Sequence, residues 1–190
     1  MIIDYTELIA EVTRQTEYQD FPSYADLLTG VAEAYLNDRL LLGPMETKAT
    51  LTLDANSEAD LPADYKQMRV VYSGTSIAQE FPLEDVIKKS VSGYAISGGK
   101  IIATTGMSEY DIIYYAKLPS LIDNQTNWLL SLDSSIYQLS LMEQAFRWKS
   151  NIDAAGVTNQ LLNTGIDRLN SADVTARFSG TRFTTQGPTP

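Results

Sequence analysis

Cysteine and histidine are both missing from the 190 residues. Without them there is no disulfide, no thiol nucleophile and no imidazole base, and nearly every zinc or haem site loses its ligands. Most common catalytic constellations are therefore excluded. No apolar run approaches the roughly 20 residues that a membrane-spanning helix needs. The opening MIIDYTELIAEV reads as a helix from the start, which leaves no room for a signal peptide and points to a protein made and used in a cytoplasm. Positive charge is scarce as well: 14 Lys and Arg stand against 24 Asp and Glu, a net charge of -10. The shortage is local, because residues 1 to 64 hold 13 acids and three bases while residues 65 to 190 hold 11 of each. That distribution argues against adhesive binding to nucleic acid, which relies on Lys and Arg neutralising phosphates. It leaves room for a surface that repels DNA.

The length fits one domain, or one core with a lobe, and is enough to bury a core without staples. Asp4 is placed to cap a first helix, with Glu7 in capping-box position and Tyr5, Leu8, Ile9 and Val12 as its apolar stripe, ending near Thr16. After Phe21 and Pro22, Ser23 is the expected cap of a second helix whose Tyr24, Leu28, Val31 and Tyr35 recur at helical spacing until Gly43 and Pro44. From Met45 to Leu118 the period falls to two. TKATLTL, MRVVYS, SIAQEF, GYAIS, KIIAT and YDIIYYAK are short β-rich runs, Gly98-Gly99 is a two-residue hairpin turn, and together they predict a small antiparallel sheet. LEDVIKKSV reads equally as a helical turn or a connection.

The helical period returns after Pro119. Asp133 or Ser134 is placed to cap a third helix, SIYQLSLMEQAFRWKS, apolar on most faces and carrying the pair Glu143 and Arg147; its Ile136, Leu139, Leu141, Met142, Phe146 and Trp148 are expected in the core. Asp153 begins a fourth helix with Leu162, Ile166, Leu169, Ala172 and Ala176 in one stripe. The fold class expected is therefore α+β: a mainly helical bundle of about four helices, an inserted antiparallel β lobe and an extended C-terminal arm. Its parts are residues 1–44, 45–118, 119–177 and 178–190. The arm has no acid and no period, and Phe178, Arg182 and Phe183 are its candidate docking residues.

Few residues invite chemistry. Glu84-Asp85 and Glu109 with Asp111 are paired carboxylates, but no nucleophile or metal cluster accompanies them, and solvated surface charge explains them better. Gly98-Gly99-Lys100 resembles part of a phosphate loop yet lies between two strands, where such a loop does not form. Tyr72, Tyr94, Tyr110, Tyr114 and Tyr115 could form a stacking face for sugar or peptide, against the simpler reading of β-propensity and core packing. No catalytic residue, metal ligand or cofactor site is expected.

One ordered set of short pieces carries a resemblance along nearly the whole chain: Leu61-Pro62-Ala63-Asp64-Tyr65, Leu118-Pro119, Asn127 to Leu130, Ile136-Tyr137 and the neighbourhood of Gly180. In this order they resemble the head-to-tail adaptor, or head completion, proteins of tailed bacteriophages. Where family members often start the third helix with a Pro-Asp type pair and carry a Tyr-Gly pair within it, Asp133-Ser134-Ser135 and Gln138-Leu139-Ser140 stand here. The resemblance implies a structural role without chemistry. Such proteins form a ring, usually twelvefold, beneath the portal protein, extend the DNA channel, and offer a platform to the tail or the next connector. DNA passes through without tight binding, no membrane is involved, and C-terminal arms reach along a neighbouring protein. The alternative is a binding module that uses the tyrosine-rich lobe.

Overall fold

The computed structural model describes residues 2–104 and 108–178, the last of these by its backbone alone. Among the described residues it is a mixed α and β fold with seven helices, four of them long, and two small antiparallel sheets. The chain divides into two compact units, Met1–Gly43 with Pro119–Pro190, and Pro44–Leu118.

In the first unit, α1 (Tyr5–Thr16) starts where Asp4 accepts the Glu7 amide, and Glu7 reaches back to the Ile3 amide at 3.0 Å. Tyr5, Leu8 and Val12 are buried, with Ile9 at the margin. The second helix, α2 (Ala25–Arg39), is not capped by Ser23: Phe21–Ser23 form a 3-10 turn, and Tyr24 takes the cap position without a side-chain bond. Its core stripe is Ala25, Leu28, Ala32 and Leu36, so Tyr24 and Val31, expected inside, lie outside. Helices α4 (Leu121–Asn124) and α5 (Trp128–Leu132) are short and lead into α6 (Ser134–Trp148), capped by Asp133. The last helix is α7 (Ile152–Phe178).

Helix α6 is central, packing against α1, α2, α5 and α7. It buries Ile136, Tyr137, Leu141 and Ala145, whereas Leu139, Met142 and Phe146 are half-buried and Trp148 is exposed. The expectation that all six lie in the core therefore fails: Leu139, Met142 and Phe146 fall on a face of α6 opposite the buried Ile136, Tyr137 and Leu141, and Trp148 is the last residue of the helix. Glu143 is buried and pairs with Arg147 as its spacing predicts. In α7 the buried positions are Ala155, Thr158, Leu162 and Ile166; Leu169 is half-buried, and Ala172 and Ala176 are exposed. A Cβ on Gly165 would lie 2.6 Å from Cδ1 of Ile136, so the glycine lets α6 and α7 approach closely.

The second unit holds two sheets where one was expected. Strands β1 (Glu46–Thr52), β3 (Tyr65–Ser73), β4 (Ser76–Ala78) and β7 (Glu109–Ala116) form one in the order β1-β7-β3-β4. Strands β2 (Glu58–Asp60), β5 (Tyr94–Ser97) and β6 (Lys100–Ala103) form the other in the order β2-β6-β5. LEDVIKKSV contributes a single helical turn pair, α3 (Leu83–Ile87). Gly98 and Gly99 both take positive φ, 58° and 78°, between the paired residues Ser97 and Lys100, the geometry of a two-residue hairpin. The sheets share one core of Leu51, Val71, Ile101, Tyr110, Ile112 and Tyr114 with their neighbours.

Candidate interaction surfaces

The tyrosines do not form a common face. Tyr94, Tyr110 and Tyr114 are buried in the lobe core, where desolvation pushes the hydroxyls of Tyr94 and Tyr114 up to about 12. The Tyr114 hydroxyl donates to Asp64 at 2.9 Å, and its ring stacks on Tyr65 at 5.9 Å. Only Tyr72 and Tyr115 lie half-exposed, and Tyr72 alone lines the open hollow of about 430 Å³ over Lys48, Thr50 and Asp111. The alternation of β7 sends alternate rings inward, which removes the sugar-stacking reading.

The paired carboxylates are spent on surface and turn contacts. Glu84 faces Lys88 from the first turn of α3. Glu109 and Asp111, two apart on a strand, share one face, and Asp111 is engaged by the Thr50 hydroxyl, which donates to it at 2.6 Å. Lys100 reaches across its sheet to Glu58 at 3.0 Å. Among the described residues no group of His, Cys, Asp and Glu could hold a metal ion, and no helix is long and apolar enough to cross a membrane.

A buried polar network that local spacing did not reveal fixes the path of the chain after Pro119. The Asn127 amide donates to the Pro119 carbonyl and to the Tyr137 hydroxyl, each at 2.7 Å, and its oxygen caps α5 at the Leu130 amide. Glu33 on α2 accepts the Leu121 amide at 2.7 Å and faces the Tyr137 hydroxyl at 3.4 Å. Burial raises the Glu33 carboxyl above its ordinary value, while the bonds from Leu121, Ser120 and Tyr137 pull it back. Three pieces of the resemblance, at Pro119, at Asn127 to Leu130 and at Tyr137, thus meet at one physical joint.

The acidic first third is split between the units: residues 1–43 hold eight acids and two bases, residues 44–64 five and one. Glu33 is buried, Glu11 pairs with Arg14, and Asp20 pairs with Lys149, so the surface field is patchier than the count suggests. Asp38 stands exposed at the end of α2 with no bond or ion pair among the described residues.

Two helix faces of the first unit are apolar and open. On α2, Leu27 is 60% and Val31 47% exposed, next to Tyr24, whose ring lies 5.2 Å from Trp148. On α7, Val157 is 61% and Leu161 56% exposed, beside a groove against Ser135, Ile136 and Leu139. The sequence signal was present: α2 carries two interleaved apolar stripes, of which only one can face the core. At the far end of α7, Asp173 accepts the Gly43 amide at 2.8 Å and pairs with Arg177. The proposed docking residues begin just beyond: Phe178 closes α7 by its backbone, and Arg182 and Phe183 lie outside the described residues.

A family model described as SU10 adaptor protein matches residues 3–185. No curated protein matches the chain.

Proposed function

The chain belongs to the SU10 adaptor protein family, a phage head-tail adaptor family, and from that premise we propose that it is a structural ring component of the virion neck. Copies dock on the portal protein, extend the DNA channel and give the tail, or the next connector, its platform. The observation that carries this reading is the family match over residues 3–185 of 190, a span that takes in both units. The four long helices of the first unit form the body as a bundle around α6. The protein is made in the host cytoplasm and carries out no reaction. Its excess of acids keeps the channel from gripping DNA, because each phosphate neutralised by a base would add affinity and slow passage.

The arm at residues 178–190 belongs to the same proposal. Phe178 and Phe183 fill apolar pockets on a neighbouring protein, and Arg182 meets an acidic or carbonyl-rich groove, less the cost of ordering the segment. The experiment is head completion in a reconstituted system. DNA-filled heads made without the protein should fail to take tails, full-length protein should restore them, and protein lacking residues 178–190 should keep its thermal midpoint yet restore none. Heads that take tails equally well without the protein would overturn the reading. A truncated protein that completes heads would remove the arm from it.

A further inference from the structure

Within the ring reading, we propose that neighbouring copies join through a parallel seam between α2 of one copy and α7 of the next. On α2 the exposed residues Leu27, Val31, Ala34 and Asp38 recur at steps of four, three and four. On α7 the exposed residues Val157, Leu161, Thr164 and Arg168 recur at the same steps. That is the spacing of two heptads of a coiled-coil seam, presented once by each helix; the α2 row points away from its buried stripe, and the α7 row borders the open groove against Ser135, Ile136 and Leu139 of α6. Laid in parallel, the two rows stack Leu27 on Val157, Val31 on Leu161, Ala34 on Thr164, and Asp38 on Arg168.

Charge selects this partner and this direction. Asp38 has no ion-pair partner among the described residues, and Arg168, although paired with Asp133, is 66% exposed and keeps guanidinium donors for a second carboxylate. An antiparallel seam would press Asp38 on Val157 and Arg168 on Leu27, burying the Asp38 carboxylate without a partner. Pairing α2 with a second α2 would set Asp38 against Asp38 when parallel and against Leu27 when antiparallel, and two α7 helices would set Arg168 against Arg168 or Val157. Only the parallel unlike pairing gives Asp38 a cation, and a contact between unlike surfaces repeats around a ring or along a filament.

The register distinguishes ring from filament. Within one copy, the C-terminal end of α2 and the residues just after it reach α7: Tyr35 donates to Asn163, Asn170 donates to the Arg39 carbonyl, and Gly43 donates to Asp173. Residues level with each other in one copy are thus about 130 apart in number, and the proposed seam also pairs residues 130 apart. Rotation about an axis along these helices preserves height, so equal offsets within and between copies describe closure without a rise.

The absence of cysteine makes the test direct. Full-length Leu27→Cys and Val157→Cys proteins, one with a size tag, are mixed at high concentration and oxidised. The expected product is the tagged-to-untagged disulfide dimer, in clear excess over the like-with-like product of either variant alone. Adding Asp38→Arg to the first variant should lower its yield about three- to fivefold, the scale of an exposed ion pair, and adding Arg168→Glu to the second should return it. Leu27→Asp, with Cys placed at Val31 and Leu161 instead, should abolish it without moving the thermal midpoint. A dominant like-with-like product, no mixed product, or no return on double charge reversal would each overturn the seam. Variants that complete heads without the mixed product would remove the seam and leave the adaptor role. Variants that give the mixed product but never complete heads would do the reverse.

Discussion

Glu33 is the residue where burial and charge conflict most, and its response to pH tests the network around it. Its carboxyl lies above its ordinary value of 4.5 in the folded protein, so folding takes up a proton there. The stability it contributes is complete below the ordinary carboxylate range and is lost as pH rises through the raised value. Glu33→Gln, which keeps an acceptor for the Leu121 amide, should therefore remove this pH dependence and match or exceed the wild type at neutral pH. Glu33→Ala should cost about 1–3 kcal/mol by leaving that buried amide unmet. Urea unfolding across the acid-to-neutral range measures both, and parallel profiles for wild type and Glu33→Gln would refute the assignment. Phe146 is a milder case. Its half-buried ring meets Tyr18 edge-on at 6.0 Å, so truncation to Ala should cost about 1–2 kcal/mol instead of the 3–5 typical of full burial. The difference between Asp4, Asp133 or the Glu143 and Arg147 pair, all legible in the sequence, and Glu33, which was not, is distance along the chain. Caps and i,i+4 pairs are local, whereas the Glu33 bond to Leu121 spans 88 residues and no local pattern encodes it.

At the scale of elements, periodicity identified the long helices and most strands because each keeps one face in a core. It misassigned the faces of α2, whose two apolar stripes are alike in composition and differ only in what packs on them. It also missed β2, since Glu58-Ala59-Asp60 has no β-propensity and is held by pairing with β6. The two glycines of α7, Gly156 and Gly165, give a contrast that helix propensity alone does not draw. Gly156 faces open space, so Gly156→Ala should stabilise by about 0.5–1 kcal/mol through helix propensity. Gly165 faces Ile136, so Gly165→Ala should destabilise by about 1–2 kcal/mol once overpacking offsets the propensity gain. Denaturant midpoints of the two variants should move in opposite directions, and movement in one direction would show that α6 and α7 do not approach as described.

At the scale of the whole molecule, composition was the clearest guide. The absence of Cys and His and the ten excess negative charges narrowed the function before any element was assigned, while the ordered short pieces pointed to the family. What composition could not foresee was that the acids divide between two units and that several are engaged in caps and pairs. A net-acidic protein should still bind duplex DNA weakly at moderate salt, and submicromolar, salt-sensitive binding by the purified chain would contradict the channel role. The central claim is that copies of this chain form a closed ring in the neck. A cryo-EM reconstruction of the virion tests it most directly. The account predicts a single ring of copies between portal and tail, with α2 of each copy alongside α7 of the next; a neck without these copies, or copies placed elsewhere on the particle, would contradict it.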